Sequence, residues 1–130
     1  MTKRELSQLY WLNREIEADE KRLKELETAA TSTTSKITGL PHVSGISDKT
    51  AIAAEIADVK AIIEAKKIQA VAEYNRLNRY IASVDDSLMR QILALRHIDG
   101  MEWDRVASSI GGGNTGDGVR MAHARFLRTH

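Results

Sequence analysis

Three arginines lie close together near the end of this 130-residue chain, at Arg120, Arg125 and Arg128. A guanidinium group binds phosphate oxygens and guanine edges through paired hydrogen bonds, so these residues are candidates for nucleic-acid contacts. No acidic residue follows Asp117, and the last part of the chain is therefore locally basic. The formal net charge of the whole chain is only +1, so it is not a general polycation. The alternative is a solvated helix face on which the arginines pair with Asp104 or Asp117.

The helix that carries these arginines is predicted to begin near Thr115 and to end near Arg128. Either Asn114 or Thr115 can cap its first turn. Residues that recur on one side of this helix predict a buried underside, formed by Val119, Ala122, His123 and Phe126. The opposite side then faces outward and carries Asp117, Gly118, Arg120, Met121 and Arg125.

A second short helix is predicted just before it, from Glu102 to Ile110. Its apolar residues recur at helical spacing and predict a face that packs into a core, with Trp103 as one core residue. The glycines at Gly111–Gly113 predict the turn between the two helices, because glycine tolerates the left-handed backbone that ends a helix. With a further helix capped near Asp85, these segments predict a compact three-helix bundle over residues 85–130.

Two long amphipathic segments precede this bundle. Leucine and isoleucine recur at spacings of three, four and seven from Lys3 to Ala30, and a similar rhythm extends from Asp48 to Val84. Two long helices with complementary apolar stripes predict an antiparallel coiled-coil hairpin over residues 1–84. The predicted fold class is therefore all-α, with the hairpin followed by the bundle.

The turn of the hairpin is predicted near residues 39–47. This stretch contains Pro41, which is the only proline of the chain, and two glycines. The Ser/Thr-rich residues from Thr31 onward are expected to weaken the first helix, because their hydroxyls compete for backbone hydrogen bonds. Ser47 or Asp48 is the predicted N-cap of the second helix.

Other motifs that could suggest catalysis or metal binding have simpler interpretations. The glycine run lacks the preceding strand and the following Lys-Ser/Thr of a phosphate-binding loop. His97, His123 and His130 lack the spacing and the partner ligands of a metal site, so no metal or cofactor is expected. The acidic pair Asp85-Asp86 favours a helix start. Because no nucleophile is accompanied by a base, we expect a protein that is not an enzyme.

The C-terminal residues resemble region four of sigma factors, a helix-turn-helix module that recognises promoter DNA with its last helix. The residues that carry this resemblance are Leu95-Arg96, Gly100, Glu102-Trp103, Val106-Ala107, Ile110-Gly111, Val119-Arg120 and Arg125-Phe126-Leu127. With the N-terminal coiled coil, the Gly-Leu-Pro turn and the Ser47-Asp48-Lys49 start, the whole chain is similar to a family of small phage-encoded, sigma-like transcriptional regulators of Gram-positive bacteria. The turn GGGNTGDG is longer than the one usual in sigma factors.

This resemblance implies a phage or prophage transcriptional regulator that binds double-stranded DNA sequence-specifically. RNA polymerase or another regulatory protein is a further partner that it implies, and the coiled coil could form a homodimer. The expected DNA contacts lie in the last helix or just before it, at Asn114, Thr115, Arg120, Met121, Arg125 and Arg128.

Two other functions stay open from the sequence. Small terminase subunits, which act in phage DNA packaging, also combine a helix-turn-helix with a coiled coil, and a coiled-coil interaction module would need no nucleic acid. The chain has no cysteine, and its N-terminal residues lack the apolar run of a signal peptide. No stretch approaches the roughly 18 apolar residues of a spanning helix. We therefore expect a cytoplasmic protein of a bacterial host cell, without membrane contact.

Overall fold

The computed structural model describes the backbone of residues 1–36 and 43–130 and the side chains of residues 1–31 and 49–130. Every regular element in these ranges is helical, which confirms the all-α class. None of the described helices is both long enough and apolar enough to cross a membrane. In chain order the elements are α1 (Lys3–Leu6), α2 (Gln8–Lys36), α3 (Val43–Ala82), α4 (Ser87–Leu93), a π-helical turn (Ala94–Ile98), α5 (Trp103–Ile110) and α6 (Gly116–Thr129).

The chain forms two compact units. The hairpin unit comprises Arg14–Gln69, and the terminal unit comprises Met1–Asn13 together with Ala70–His130. The predicted division into residues 1–84 and 85–130 therefore differs from the structure, in which the start of α2 and the end of α3 belong with the C-terminal helices. The reason is a core that these segments share.

The hairpin unit is a pair of antiparallel helices, as the sequence predicts. Asp19 and Glu20 of α2 form ion pairs with Lys66 (2.6 Å) and Lys67 (3.3 Å) of α3. Arg22, which is further along α2, pairs at 2.7 Å with Glu55, which is earlier in α3, as antiparallel helices require. Ile16 and Ile63 are buried between the two helices. Exposed ion pairs such as Arg22–Glu55 and Glu20–Lys67 contribute little, so the buried apolar residues are the more important contact.

Two expectations about the ends of the hairpin helices are wrong. Helix α2 continues through the Ser/Thr-rich stretch to Lys36. The hydroxyls of Thr28 and Thr31 donate to the carbonyls of the preceding helical turn, at 2.9 and 3.0 Å, an arrangement that leaves the backbone helical.

Helix α3 begins at Val43, so Ser47 and Asp48 lie inside it and neither is the N-cap. No proline occurs from Val43 onward to interrupt the backbone hydrogen bonds. Of the predicted turn near residues 39–47, the part up to residue 42 lies outside the described residues, and the rest is helical.

The terminal unit has one hydrophobic core to which both ends of the chain contribute. Leu6 of α1 and Leu77 of α3 are fully buried, together with Ile92, Leu93 and Val106. The guanidinium of Arg76 also links α3 to α1, because its Nη2 donates to the carbonyl of Glu5 at 2.9 Å. The first leucines of the sequence are therefore core residues of the same unit as the C-terminal helices.

The corner between α3 and α4 is held by local hydrogen bonds. The Asp86 carboxylate accepts from the amide of Leu88 at 3.0 Å, which confirms the predicted cap at this helix start. From inside α4, Arg90 Nη1 donates to the carbonyl oxygens of Val84 (2.6 Å) and Asp85 (2.9 Å), which would otherwise lack helical donors. The direction of α4 is thus fixed relative to the end of α3.

Substitution of Leu6 tests whether the N-terminal residues stabilise the terminal unit. Leu6→Ala should lower the free energy of unfolding by about 2–5 kcal/mol, because it leaves a cavity in a close-packed core. The exposed Val71→Ala in the same unit is the matched control and should change it by less than about 0.5 kcal/mol. Urea titrations followed by circular dichroism measure both changes, and equal stability of the two variants would contradict the shared core.

Candidate nucleic-acid interface

The segment from α5 to α6 has the helix-turn-helix arrangement that the sequence predicts. Glu102 is the N-cap of α5, and the helix ends at Ile110. The next three residues, Gly111–Gly113, have φ angles of 75°, 69° and 76°, which residues with a side chain rarely adopt. Gly111 combines its positive φ with an extended ψ of −157° and is not left-handed helical. All three glycines are therefore needed for the shape of this turn.

The two polar residues that end the turn are both engaged in local hydrogen bonds. Asn114 Nδ2 donates to the carbonyl of Gly111 at 2.7 Å and closes the turn. Of the two predicted caps, Thr115 is the N-cap of α6, because its hydroxyl accepts from the amide of Gly118 at 3.1 Å. Both candidate contact residues thus lie, exposed, at the start of α6 and also hold the backbone there.

Gly116 of α6 packs closely against Asp104 of α5. It is buried, and a Cβ atom built on it would overlap the Asp104 carboxylate and lie 3.0 Å from the Asp104 backbone nitrogen. A glycine at the first position of a helix looks unfavourable from the sequence alone. Here it permits the N-terminus of α6 to approach the first turn of α5.

The underside of α6 is the one predicted from the sequence. Val119 and His123 are buried, with exposed fractions of 4% and 3%, and Ala122 and Phe126 are partly buried. The core that they join includes Val106 and Ala107 of α5 and residues of α4. This packing fixes the rotation of α6 about its own axis.

The opposite side of α6 is open to solvent. Successive helical residues are about 100° apart, which places Met121 and Arg128 almost directly opposite the buried underside and Arg125 beside them. All three are exposed, with Met121 at 56%. Arg120 lies nearer the edge of this face. We call Asp117, Met121, Arg125 and Arg128 the outer face of α6.

The pairing of Arg120 with an acidic residue, which was the alternative to DNA contact, is present but weak. Its Nη2 lies 3.7 Å from an Asp117 carboxylate oxygen, and the two side chains are 55% and 89% exposed. Such exposed pairs are worth at most about 1 kcal/mol. Arg120 can therefore turn to another anion at little cost.

Comparisons of the chain with protein-family models, with curated proteins and with solved structures found no match. Within the described part of the chain, no group of three His, Cys, Asp or Glu side chains is arranged to hold a metal ion.

A buried histidine pair beneath α6 is the feature that the sequence analysis missed. His97 of the π-helical turn and His123 lie with their Nε2 atoms 2.9 Å apart, so one imidazole donates and the other accepts. His97 continues the buried series of Met89 and Leu93 at a spacing of four, a signal that was available in the sequence. The pair joins α6 to the π-helical turn.

Burial keeps both histidines neutral. Burial first, and then the nearby positive charges of Arg96 and Lys3, lower the pKa of His97 to about 3 and that of His123 to about 4. For His97, the neighbouring His123 contributes as well. A proton on both rings would place two like charges in contact and leave neither Nε2 as an acceptor, so the hydrogen bond is lost when both rings are protonated.

We expect Gly116→Ala to destabilise the terminal unit. The added methyl group overpacks the contact with Asp104, at a cost of about 1–3 kcal/mol, which exceeds the gain of up to about 1 kcal/mol in helix propensity. Gly118→Ala, two residues later on the exposed side of α6, is the matched control and should have a smaller effect. Thermal unfolding of both variants measures the difference, and a more stable Gly116→Ala variant would show that the close approach is absent.

The histidine pair predicts a loss of stability in mild acid. The unfolded chain takes up protons on these histidines near pH 6.5, whereas the folded chain does so only near their lowered pKa values. The histidines therefore contribute their full share to the free energy of unfolding above about pH 6.5, and this share decreases as the pH falls toward 4. At about pH 5 the loss is up to about 2 kcal/mol per histidine.

The measurement is the urea midpoint at about pH 7.5 and about pH 5 for the wild-type chain and for the double variant His97→Leu/His123→Leu. The double variant should lose most of this pH dependence. An equal decrease in both proteins would mean that other groups are responsible.

Proposed function

We propose that the chain is a sequence-specific DNA-binding transcriptional regulator of the sigma-like phage or prophage type, in which α6 enters the major groove. The observation that supports this most is the two-sided character of α6. Val119 and His123 are buried beneath it, while Met121, Arg125 and Arg128 point away from the core. A helix held in this way matches the width of the major groove.

The dimensions and charge of α6 also favour DNA. Its 14 residues extend over about 21 Å, enough for several base pairs along a groove. From Gly118 onward the helix contains three arginines and no acid, and Asp117 is the one acidic residue in its first turn. Arginine can bind both phosphates and guanine edges, so the outer face can contribute affinity and base recognition.

The start of α6 supplies a second kind of contact. The amides of a helix N-terminus favour an anion, and the hydroxyl of Thr115 is exposed beside them. In the proposed complex, Asn114 and Thr115 lie at the phosphate backbone and Arg125 and Arg128 lie deeper in the groove. RNA polymerase, or a regulatory protein bound to it, is the proposed further partner.

Selection of bound sequences from a random DNA pool, with the full-length chain, tests this function directly. An enriched motif of several base pairs supports a regulator, and an unenriched pool with no low-salt gel shift contradicts it. The footprint also tests a homodimer, because two copies would protect half-sites whose centres are about 34–36 Å apart.

The double variant Arg125→Ala/Arg128→Ala should weaken binding to the selected DNA by at least tenfold, because each arginine contact is worth about 1–3 kcal/mol. The slope of log affinity against log salt should also become shallower, by about 0.9 for each phosphate that the variant no longer neutralises. Fluorescence anisotropy with labelled DNA measures both quantities.

The matched control is Arg4→Ala/Arg79→Ala, which removes two exposed arginines from α1 and α3 and leaves the charge of α6 unchanged. Binding should be reduced much less than in the α6 variant. Equal reductions in the two double variants would assign the affinity to general charge and not to the outer face of α6.

A further inference from the structure

A cleft of about 430 Å³ lies within the terminal unit, on the opposite side of α6 from its outer face. Both tryptophans of the chain line it, and we call it the tryptophan cleft. Its volume is within the range of sites for small molecules, which is roughly 300–1,000 Å³. Its lining includes the cationic and aromatic side chains of Lys3, Trp11, Arg96, His97, Trp103 and His123.

The lining of the cleft has a net positive charge, because it contains two cations and one carboxylate. Lys3 and Arg96 both line it, and neither forms an ion pair with a carboxylate of the described residues. Glu102 is the one acidic residue of its lining and is not paired with them. Both cations lie close enough to His97 to help lower the pKa of its ring, after the larger effect of burial. The net positive charge of the lining would attract an anion into the cleft.

Arg96 is held in place before any ligand binds. Its guanidinium carbon lies 4.5 Å from the ring centre of Trp103, and its Nη1 donates to the carbonyl of Met101 at 2.9 Å. A guanidinium has five N–H donors, and the described residues provide Arg96 with no second acceptor. A carboxylate can therefore bind without the entropic cost of ordering this side chain.

Another part of the lining is aromatic and exposed. Trp11 is 59% exposed, and its ring meets that of Tyr10 edge to face with ring centres 5.0 Å apart. An exposed tryptophan fixed beside a second aromatic ring is a flat apolar surface that a planar ring can cover. The cleft thus combines an exposed aromatic surface with a fixed cation. These two features complement a ligand that has a planar ring and a negative charge.

We propose that the tryptophan cleft binds a small planar aromatic carboxylate, with its charge on Arg96 and Lys3 and its ring against Trp11. This site is separate from the outer face of α6, and the proposal does not depend on DNA binding.

Calorimetric titration of the full-length chain with 2-naphthoate tests the proposal. We expect saturable binding of one molecule per chain, with a dissociation constant of roughly 1 mM or lower. The neutral analogue 2-naphthamide and the non-aromatic cyclohexanecarboxylate should each bind at least tenfold more weakly. In a nitrogen–proton NMR spectrum, 2-naphthoate should shift both tryptophan indole signals, because both rings line the cleft.

Charge-removing variants locate the site. Lys3→Met and Arg96→Met should each weaken 2-naphthoate binding by about tenfold, and Arg79→Met, an exposed arginine of α3, should not. Arg96→Met also removes the hydrogen bond to the Met101 carbonyl and can therefore disturb the fold. Lys3→Met removes no such bond and is the cleaner test of ligand binding. No saturable binding up to roughly 10 mM, equal binding of 2-naphthamide, or unchanged binding by Lys3→Met would overturn the proposal.

Discussion

The distance between α5 and α6 is set by a contact in which one partner has no side chain. Gly116 lies against Asp104, where a Cβ atom would overlap the carboxylate and be tightly packed against the backbone. This approach brings Val119 and His123 down onto the core, and their burial fixes which residues of α6 face outward. The exposure of Met121 and Arg125 is thus a consequence of packing on the other side of the helix. A shift of α6 away from α5 would alter both sides together.

The sequence predicted α6 well because the relevant signals are local. A hydroxyl at Thr115, glycines before it and buried residues at a spacing of three and four are all properties of one short segment. The cap at Asp86 was predicted for the same reason. In each case, the residues that specify the element are its own.

The misses concern the packing partners of the helices and the two ends at the hairpin turn. The spacing of Leu6 shows that one side of its helix is apolar, but the same spacing fits a coiled coil or a bundle, and the structure places it in a core with Leu77 and Val106. The hydroxyls of Thr28 and Thr31 could end a helix or bond back to it, and composition does not distinguish the two. The contact between His97 and His123 joins residues that are far apart in sequence, so no local pattern contains it.

The π-helical turn at Ala94–Ile98 restricts how the length of this protein can vary. Such a turn is an α-helix that has accommodated an extra residue, and here the amide of Asp99 reaches back five residues to the carbonyl of Ala94 at 3.1 Å. Two neighbouring residues of this turn make different contacts. The Arg96 guanidinium lies over the ring of Trp103, and His97 is hydrogen-bonded to His123 of α6. Deletion of one residue would restore an ordinary helix but rotate everything after it by about 100°. A version shortened by one residue in the turn would therefore disrupt both interactions at once.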